Sequence, residues 1–303
     1  MSVKVEQITE PVVLGEGPHW DENQQALFYV SIHDHTIHKY VPSTGAYSKT
    51  KLDGPVGFII PVEGFRDQFV VGLGRRFVVV RWDGAEGSGA TVVRELGEVD
   101  AGLNTRINDG KCDPKGRIFA GTMGKEDPPG TFDPEQGSLF SLEGGAPPKT
   151  LRSRIGISNG LAWDVPAKAF YYIDSLEKAV SKFDYDIENG NISNKRHIFD
   201  LEKNGIEGFP DGMTIDTDGN LYVAVFNGSK VIKIDPKTGE VLQTIPIPAK
   251  QVTSVTFGGP NLDILFVTTA SMKTGETQKP PAGATFKVTG IGARGFTNLG
   301  FQL

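Results

Sequence analysis

Four polar residues of this chain stand in one sequence context. Glu16, Asn108, Asn159 and Asp211 each lie five residues before an aspartate, at Asp21, Asp113, Asp164 and Asp216. Each phrase then passes through a turn into a short apolar run, at residues 26–30, 116–120, 169–173 and 221–225. If the four side chains meet, they bring two carboxylates and two amides to one place. Converging carboxylates repel unless one is protonated or a cation lies between them. An all-oxygen set suits a hard divalent ion such as Ca²⁺, Mg²⁺ or Mn²⁺ better than a thiolate-bound metal. Glu16, Asn159 and Asp211 are the candidate ligands, and three protein ligands leave positions for water and substrate. Such an ion polarises a carbonyl and acidifies water. Asn108 is suited to hold a water or a substrate hydroxyl. Arg106, two residues earlier and so on the same side of an extended chain, is suited to a carboxylate or an oxyanion.

What could bring the four together is an internal repeat. Weaker copies of the phrase begin at Phe58 and Thr253, and the six starts are spaced by 42, 50, 51, 52 and 42 residues. A four-stranded antiparallel unit at that period is a propeller blade. The expectation is therefore an all-β, six-bladed β-propeller, a single domain over residues 1–303, with a central channel. Equivalent positions in radially repeated blades point to equivalent places, so the four polar residues should share one mouth of the channel, with Phe58 and Thr253 filling the rest. Residues 3–8 alternate and should close the ring by pairing near residues 285–288, which hides the sheet edges.

Other features read as structural. His33, His35 and His38 fit a solvated hairpin, Arg75 and Arg76 a solvated turn, and residues 194–197 a solvated outer edge. Asp216-Thr217-Asp218-Gly219 is a hairpin turn; as a calcium loop it has its glycine at the wrong place and Asn227 where a glutamate belongs. Trp20 and Trp163 occupy one register and read as packing between blades. Cys112 sits among apolar neighbours and reads as packed. No Gly-x-Ser-x-Gly occurs and no histidine lies in the inner register, so a Ser-His-Asp nucleophile is unsupported. Residues 124–137 form a polar, Pro/Gly-rich insertion between two strands, placed to overhang a channel mouth as a lid.

Composition narrows the partners. The chain has 303 residues, 38% of them hydrophobic, and a net charge of −6, which argues against nucleic acid. It has no long apolar run and no signal-peptide pattern. One cysteine rules out an internal disulfide and suits a reducing cytosol. A cytoplasmic protein is expected, with a small-molecule substrate and no nucleic-acid, membrane or obligate protein partner.

Gly15-Glu16-Gly17-Pro18, Arg106-Ile107-Asn108-Asp109-Gly110-Lys111, Gly121-Thr122-Met123, Ile157-Ser158-Asn159-Gly160-Leu161, Tyr171-Tyr172-Ile173-Asp174 and Pro210-Asp211-Gly212 together resemble the regucalcin (senescence marker protein), gluconolactonase and luciferin-regenerating enzyme family, its insect branch above all. The resemblance runs from about Gly15 to Gly290. It implies a six-bladed propeller with one divalent cation, calcium first and magnesium, manganese or zinc after it. It implies metal ligands at Glu16, Asn159 and Asp211, substrate contacts at Arg106, Asn108 and Glu126 in the lid, and Asp211 as general base. The activity expected is metal-dependent hydrolysis of sugar lactones, with luciferin regeneration from oxyluciferin or a non-catalytic calcium-binding regulatory role as alternatives. Ser31 departs from the aspartate that many members carry, which leaves a contact in blade one open.

Overall fold

The computed structural model describes residues 2–127, 130–273 and 278–303. Among these, the strands form six four-stranded antiparallel sheets, each a blade. The inner strands are Gly15–Asp21, Val56–Pro61, Thr105–Cys112, Ser158–Asp164, Phe209–Ile215 and Gln251–Gly258. Five blades are uninterrupted meanders. The sixth takes its outermost strand from the start of the chain: Lys4–Gln7 pairs with Phe286–Thr289, in the register Lys4 to Thr289 and Gln7 to Phe286. The ring therefore closes where the alternating N-terminal segment predicts. Among the described residues no helix is long and apolar enough to cross a membrane.

Side chains alternate across an extended strand, so a strand with apolar residues on both faces must be covered on both. Blade two illustrates the consequence. Phe69, Val71, Val78 and Val80 pack toward blade one, while Val70, Phe77 and Val79 pack toward blade three. Among the described residues the buried apolar side chains fall into six such clusters, one at each junction of neighbouring blades. Trp20 stacks on Phe266 of blade six and Trp163 meets Phe119 of blade three, so both tryptophans bridge blades as their register implies. Cys112 is buried, and burial pushes its thiol well above the ordinary range.

The inner strands share a second feature that bears on the site. Each breaks its ladder with its neighbour once: between Glu16 and His19, Val56 and Ile59, Ile107 and Asp109, Asn159 and Leu161, Pro210 and Met213, and Val252 and Ser254. A bulge leaves residues unpaired, bends the strand and re-aims its side chains. Six bulges at one height make a ring in which neighbouring inner strands nearly touch. A Cβ on Gly57 would sit 2.6 Å from the Ile107 carbonyl oxygen, and one on Gly160 would sit 2.7 Å from the Asp211 carbonyl oxygen. Gly57, after Val56, and Gly160, after Asn159, are thus required by the next blade.

Two of the six repeat starts do not face the mouth. Phe58 packs on Phe77 and presses its ring over Gly110 of blade three. Val56, not Phe58, holds the paired position before the bulge that Glu16 holds in blade one, because the turn of blade two is longer and displaces the count. Thr253 donates its hydroxyl to the Gly15 carbonyl at 2.5 Å, joining blades six and one, and its oxygen lies 2.9 Å from the Thr268 hydroxyl.

The end of the chain crosses the opposite face of the ring. Arg294 and Gly295 bond to Thr217 and Leu262, Phe301 donates to the Pro61 carbonyl, and Gln302 to that of Gly116. Gly160→Ala forces a methyl into the strand that carries Asp211. We expect it to lower unfolding free energy by about 1–3 kcal/mol, read as a shifted urea midpoint at unchanged slope.

Candidate active site

At one end of the inner strands, Glu16, Arg106, Asn108, Asn159 and Asp211 line a single cavity of about 270 Å³ together with Glu126. The repeat register and the resemblance therefore name residues that the fold does assemble. Glu16 and Asp211 are 4% and 7% exposed. Neither makes an ion pair among the described residues. Burial, then the charge of Asp109, raises Glu16; burial, then the charges of Glu16 and Asp109, raises Asp211 well above the carboxylate range. Asp211 Oδ1 is buried with no hydrogen-bond partner.

A chain of polar side chains runs round the rim. His33 Nε2 lies 3.0 Å from Glu126 Oε2, and Arg106 Nη2 donates to the same oxygen at 2.8 Å. Arg106 Nη1 donates to Asn108 Oδ1 at 2.6 Å. Asn108 Nδ2 donates to the Ser158 carbonyl at 2.9 Å and to Asn159 Oδ1 at 3.2 Å. Asn159 Nδ2 donates to Ser175 Oγ at 2.8 Å, and Ser175 Oγ donates to the Pro210 carbonyl at 2.7 Å. Carbonyls only accept, so the two ends of this chain fix its direction. The Ser175 proton is committed to Pro210, its lone pairs face the Asn159 amide nitrogen, and the Asn159 oxygen must point the other way. The network thereby fixes the direction of the Asn159 amide in the cavity that Glu16 and Asp211 also line.

A divalent cation fits this set. Uncompensated carboxylates in one dry cavity, one with an orphaned oxygen, are costly without a positive partner. Glu16, Asn159 and Asp211 would hold the ion. Among the described residues no three His, Cys, Asp or Glu side chains form a metal-binding group; the candidate set differs because its third oxygen is an amide.

Several residues escape the sequence reading. His33 is not a solvated hairpin residue: it reaches from blade one to the lid and clamps Glu126. The burial of Glu126 pushes it up, but the hydrogen bond from His33 and then the charge and hydrogen bond of Arg106 outweigh this and hold it at about 2. His38 is also buried, stacked on Tyr29 and bonded to Thr36 and Tyr47. Arg75 is tied to the carbonyls of Asp100 and Leu103 and to Glu98. Ser175 lies in a short 3₁₀ turn, Ser175–Glu177, capped by Asp174. Asp174 also accepts from the backbone of Gly156 and Ile157, which leads the chain into Asn159. The only signal for it was its place at the end of a second strand. Ser31 pairs with Gly15 as Asp174 pairs with Ser158. Ser31 Oγ donates to Asp34 at 2.6 Å, and Asp34 accepts from Val13 at 3.0 Å. Ser31 and Asp34 together brace the approach to Glu16, so the departure at Ser31 is compensated. In the lid, Gly130 and Phe132 line the cavity; Pro128 and Pro129 of that stretch lie outside the described residues.

A six-bladed propeller with an acidic, oxygen-rich cavity at one mouth is the class that fold and site define. The family model described as the SMP-30/Gluconolactonase/LRE-like region matches residues 14–271, and the chain belongs to that family. It is 39% identical to regucalcin of Danio rerio over 298 residues, 97% of each chain. It is similar to the solved structure of a luciferin-regenerating enzyme, at 41% identity and a TM-score of 0.94 over 100% of both chains. A calcium-binding protein, regucalcin, from Agrobacterium tumefaciens shares the fold at 22% identity and a TM-score of 0.86, covering 98% of this chain and 97% of that one.

Two outcomes follow from the electrostatics. Raised carboxyls retain protons that a cation must displace, so Ca²⁺ affinity should tighten as pH rises above the ordinary carboxylate range, with proton release on binding. Calorimetry in buffers of different ionisation enthalpy reads both. Glu126 is depressed, so its contribution to stability is complete above its unfolded value of ~4.3. It is lost as pH falls toward about 2. Between pH 5 and 2.5, urea unfolding of Glu126→Gln should therefore lose less stability than the parent protein.

Proposed function

We propose that the protein is a divalent-cation-dependent hydrolase that opens lactones. The observation that carries this reading is the pair of buried carboxylates, Glu16 and Asp211, that line one cavity with the Asn159 amide and the Arg106 guanidinium. When bound, a divalent cation supplies the charge that polarises an ester carbonyl and lowers the pKa of water. Calcium suits oxygen ligands, as do magnesium and manganese, with zinc a further candidate.

The chain's own groups do the rest. Arg106 donates to a substrate oxygen at the rim, and Asn108, whose two N–H groups are committed, accepts from a substrate hydroxyl on Oδ1. Glu126 and His33 keep the Arg106 guanidinium in place, so its remaining N–H groups point at the ligand. Asp211 takes a proton from the attacking water onto a carboxylate oxygen, and its burial makes it a stronger base than a solvated aspartate. Met123, Phe132, Ile157, Leu176 and Phe209 wall the cavity and exclude competing water.

Those walls support a second reading. A sugar offers hydroxyls on every side, whereas this cavity has a large apolar surface. Together with the likeness to a luciferin-regenerating enzyme, they favour a substrate with a flat hydrophobic body, such as oxyluciferin.

Hydrolysis of δ-gluconolactone by chelator-stripped protein, with Ca²⁺, Mg²⁺, Mn²⁺ or Zn²⁺ restored, tests the first reading. Turnover should return with metal and fall about 10²–10⁴-fold in Asp211→Ala. Equal rates in the variant would overturn it. Metal binding without lactone turnover would move the case to oxyluciferin, and failure there to a non-catalytic calcium-binding role.

A further inference from the structure

The inner strands that carry the site continue to the opposite end of the channel, where a second cavity of about 320 Å³ opens. Leu161, Trp163 and Ile215 form its inner wall, and Phe296 and Leu299 of the C-terminal segment its outer one. That segment is anchored on both sides. Gly295 donates to Leu262, Asn298 donates to the Phe257 carbonyl at 3.0 Å, and Gly300 donates to Glu63 at 2.9 Å. Phe296, 52% exposed, is therefore held over the opening and not tucked into the core.

Two titratable side chains in this lining keep N–H groups that no protein atom takes up among the described residues. His19, 6% exposed, comes from the inner strand of blade one, three residues beyond Glu16 and on the far side of the bulge. Among the described residues neither of its ring nitrogens has a hydrogen-bond partner. Lys111, from blade three, makes one hydrogen bond among the described residues, to the Met213 carbonyl at 2.8 Å, and no ion pair. An ammonium has three N–H groups, so two are unused. Both side chains line the cavity, so their unused N–H groups are open to a ligand there. Burial lowers His19 to about 4, so at neutral pH its imidazole is uncharged and still offers one N–H. Burial lowers Lys111 to about 8, with Asp109 opposing, so it remains a cation at neutral pH.

We propose that the far end of the channel is a second ligand site, for a small aryl or alkyl monocarboxylate. The carboxylate accepts hydrogen bonds from Lys111 and His19, and the hydrocarbon body lies between Trp163, Ile215 and Phe296. The unfilled N–H groups of Lys111 select an acceptor group, its charge selects an anion, and the apolar walls select the remainder. The size lies at the low end of small-molecule pockets and suits one ring.

The test uses the full chain with phenylacetate as probe and 2-phenylethanol as its neutral counterpart, followed by calorimetry and by the summed emission of its three tryptophans. Phenylacetate should bind, and phenylethanol about tenfold or more weaker, as a charged hydrogen bond is worth at least that factor. Lys111→Met should weaken phenylacetate by a similar factor, and Phe296→Ala, on the exposed segment, by several-fold with an unchanged melting temperature. Asp211→Asn, at the other mouth, should leave binding as it is. The proposal is overturned if phenylacetate fails to bind at millimolar concentration or if both probes bind alike. It is overturned equally if Phe296→Ala, folded, binds as the parent does, or if Asp211→Asn abolishes binding, which would place the probe at the other end.

Discussion

Two carboxyl groups buried in one cavity dominate this propeller. Glu16 of blade one and Asp211 of blade five enter one cavity, and the chain supplies neither with an ion-pair partner among the described residues. Water cannot solvate them well there, and Asp109 adds a third negative charge nearby. A fold keeps such an arrangement only where its cost is met by a ligand or serves chemistry. The rest of the site can be understood as the means of holding that arrangement still.

The holding is done by backbone before side chains. Bulges in the inner strands re-aim their side chains so that in four blades a polar residue at the bulge lines the cavity, and glycines let those strands approach within contact. The amide chain from Arg106 to Ser175 then sets the direction of Asn159, and the His33–Glu126–Arg106 clamp ties the lid of blade three to blade one. Each layer depends on the one beneath. Hydrophobic clusters between blades fix the ring, the ring fixes the bulges, and the bulges place the oxygens.

Much of this was legible in the sequence because symmetry made it redundant. The interval between polar residue and aspartate recurs in four blades, and it located Glu16, Asn108, Asn159 and Asp211 without any one of them being distinctive. The same count failed at Phe58, where a longer turn shifts the register by two residues and sends the ring into the junction with blade three. His33 was illegible for a different reason. Its partner, Glu126, is 93 residues away, and nothing local distinguishes a turn histidine that reaches a lid from one that reaches water. Ser175 and the pairing of Ser31 with Asp34 were equally hidden, since both act by bonding backbone that only the folded ring brings near. Lys111 and His19 were passed over because alternation and the bulge turn them toward the opposite end.

The claim that buried like charge governs the cation-free protein can be tested on stability alone. Melting temperatures of the parent, Glu16→Gln and Asp211→Asn would be measured at pH 8, with chelator and with saturating Ca²⁺. Removing one of two repelling carboxylates should raise the melting temperature of the stripped protein, since a raised carboxyl destabilises the fold wherever it must ionise. Calcium should then stabilise the parent strongly and the variants little. Variants less stable than the parent in chelator, or stabilised by Ca²⁺ as much as the parent is, would contradict the account.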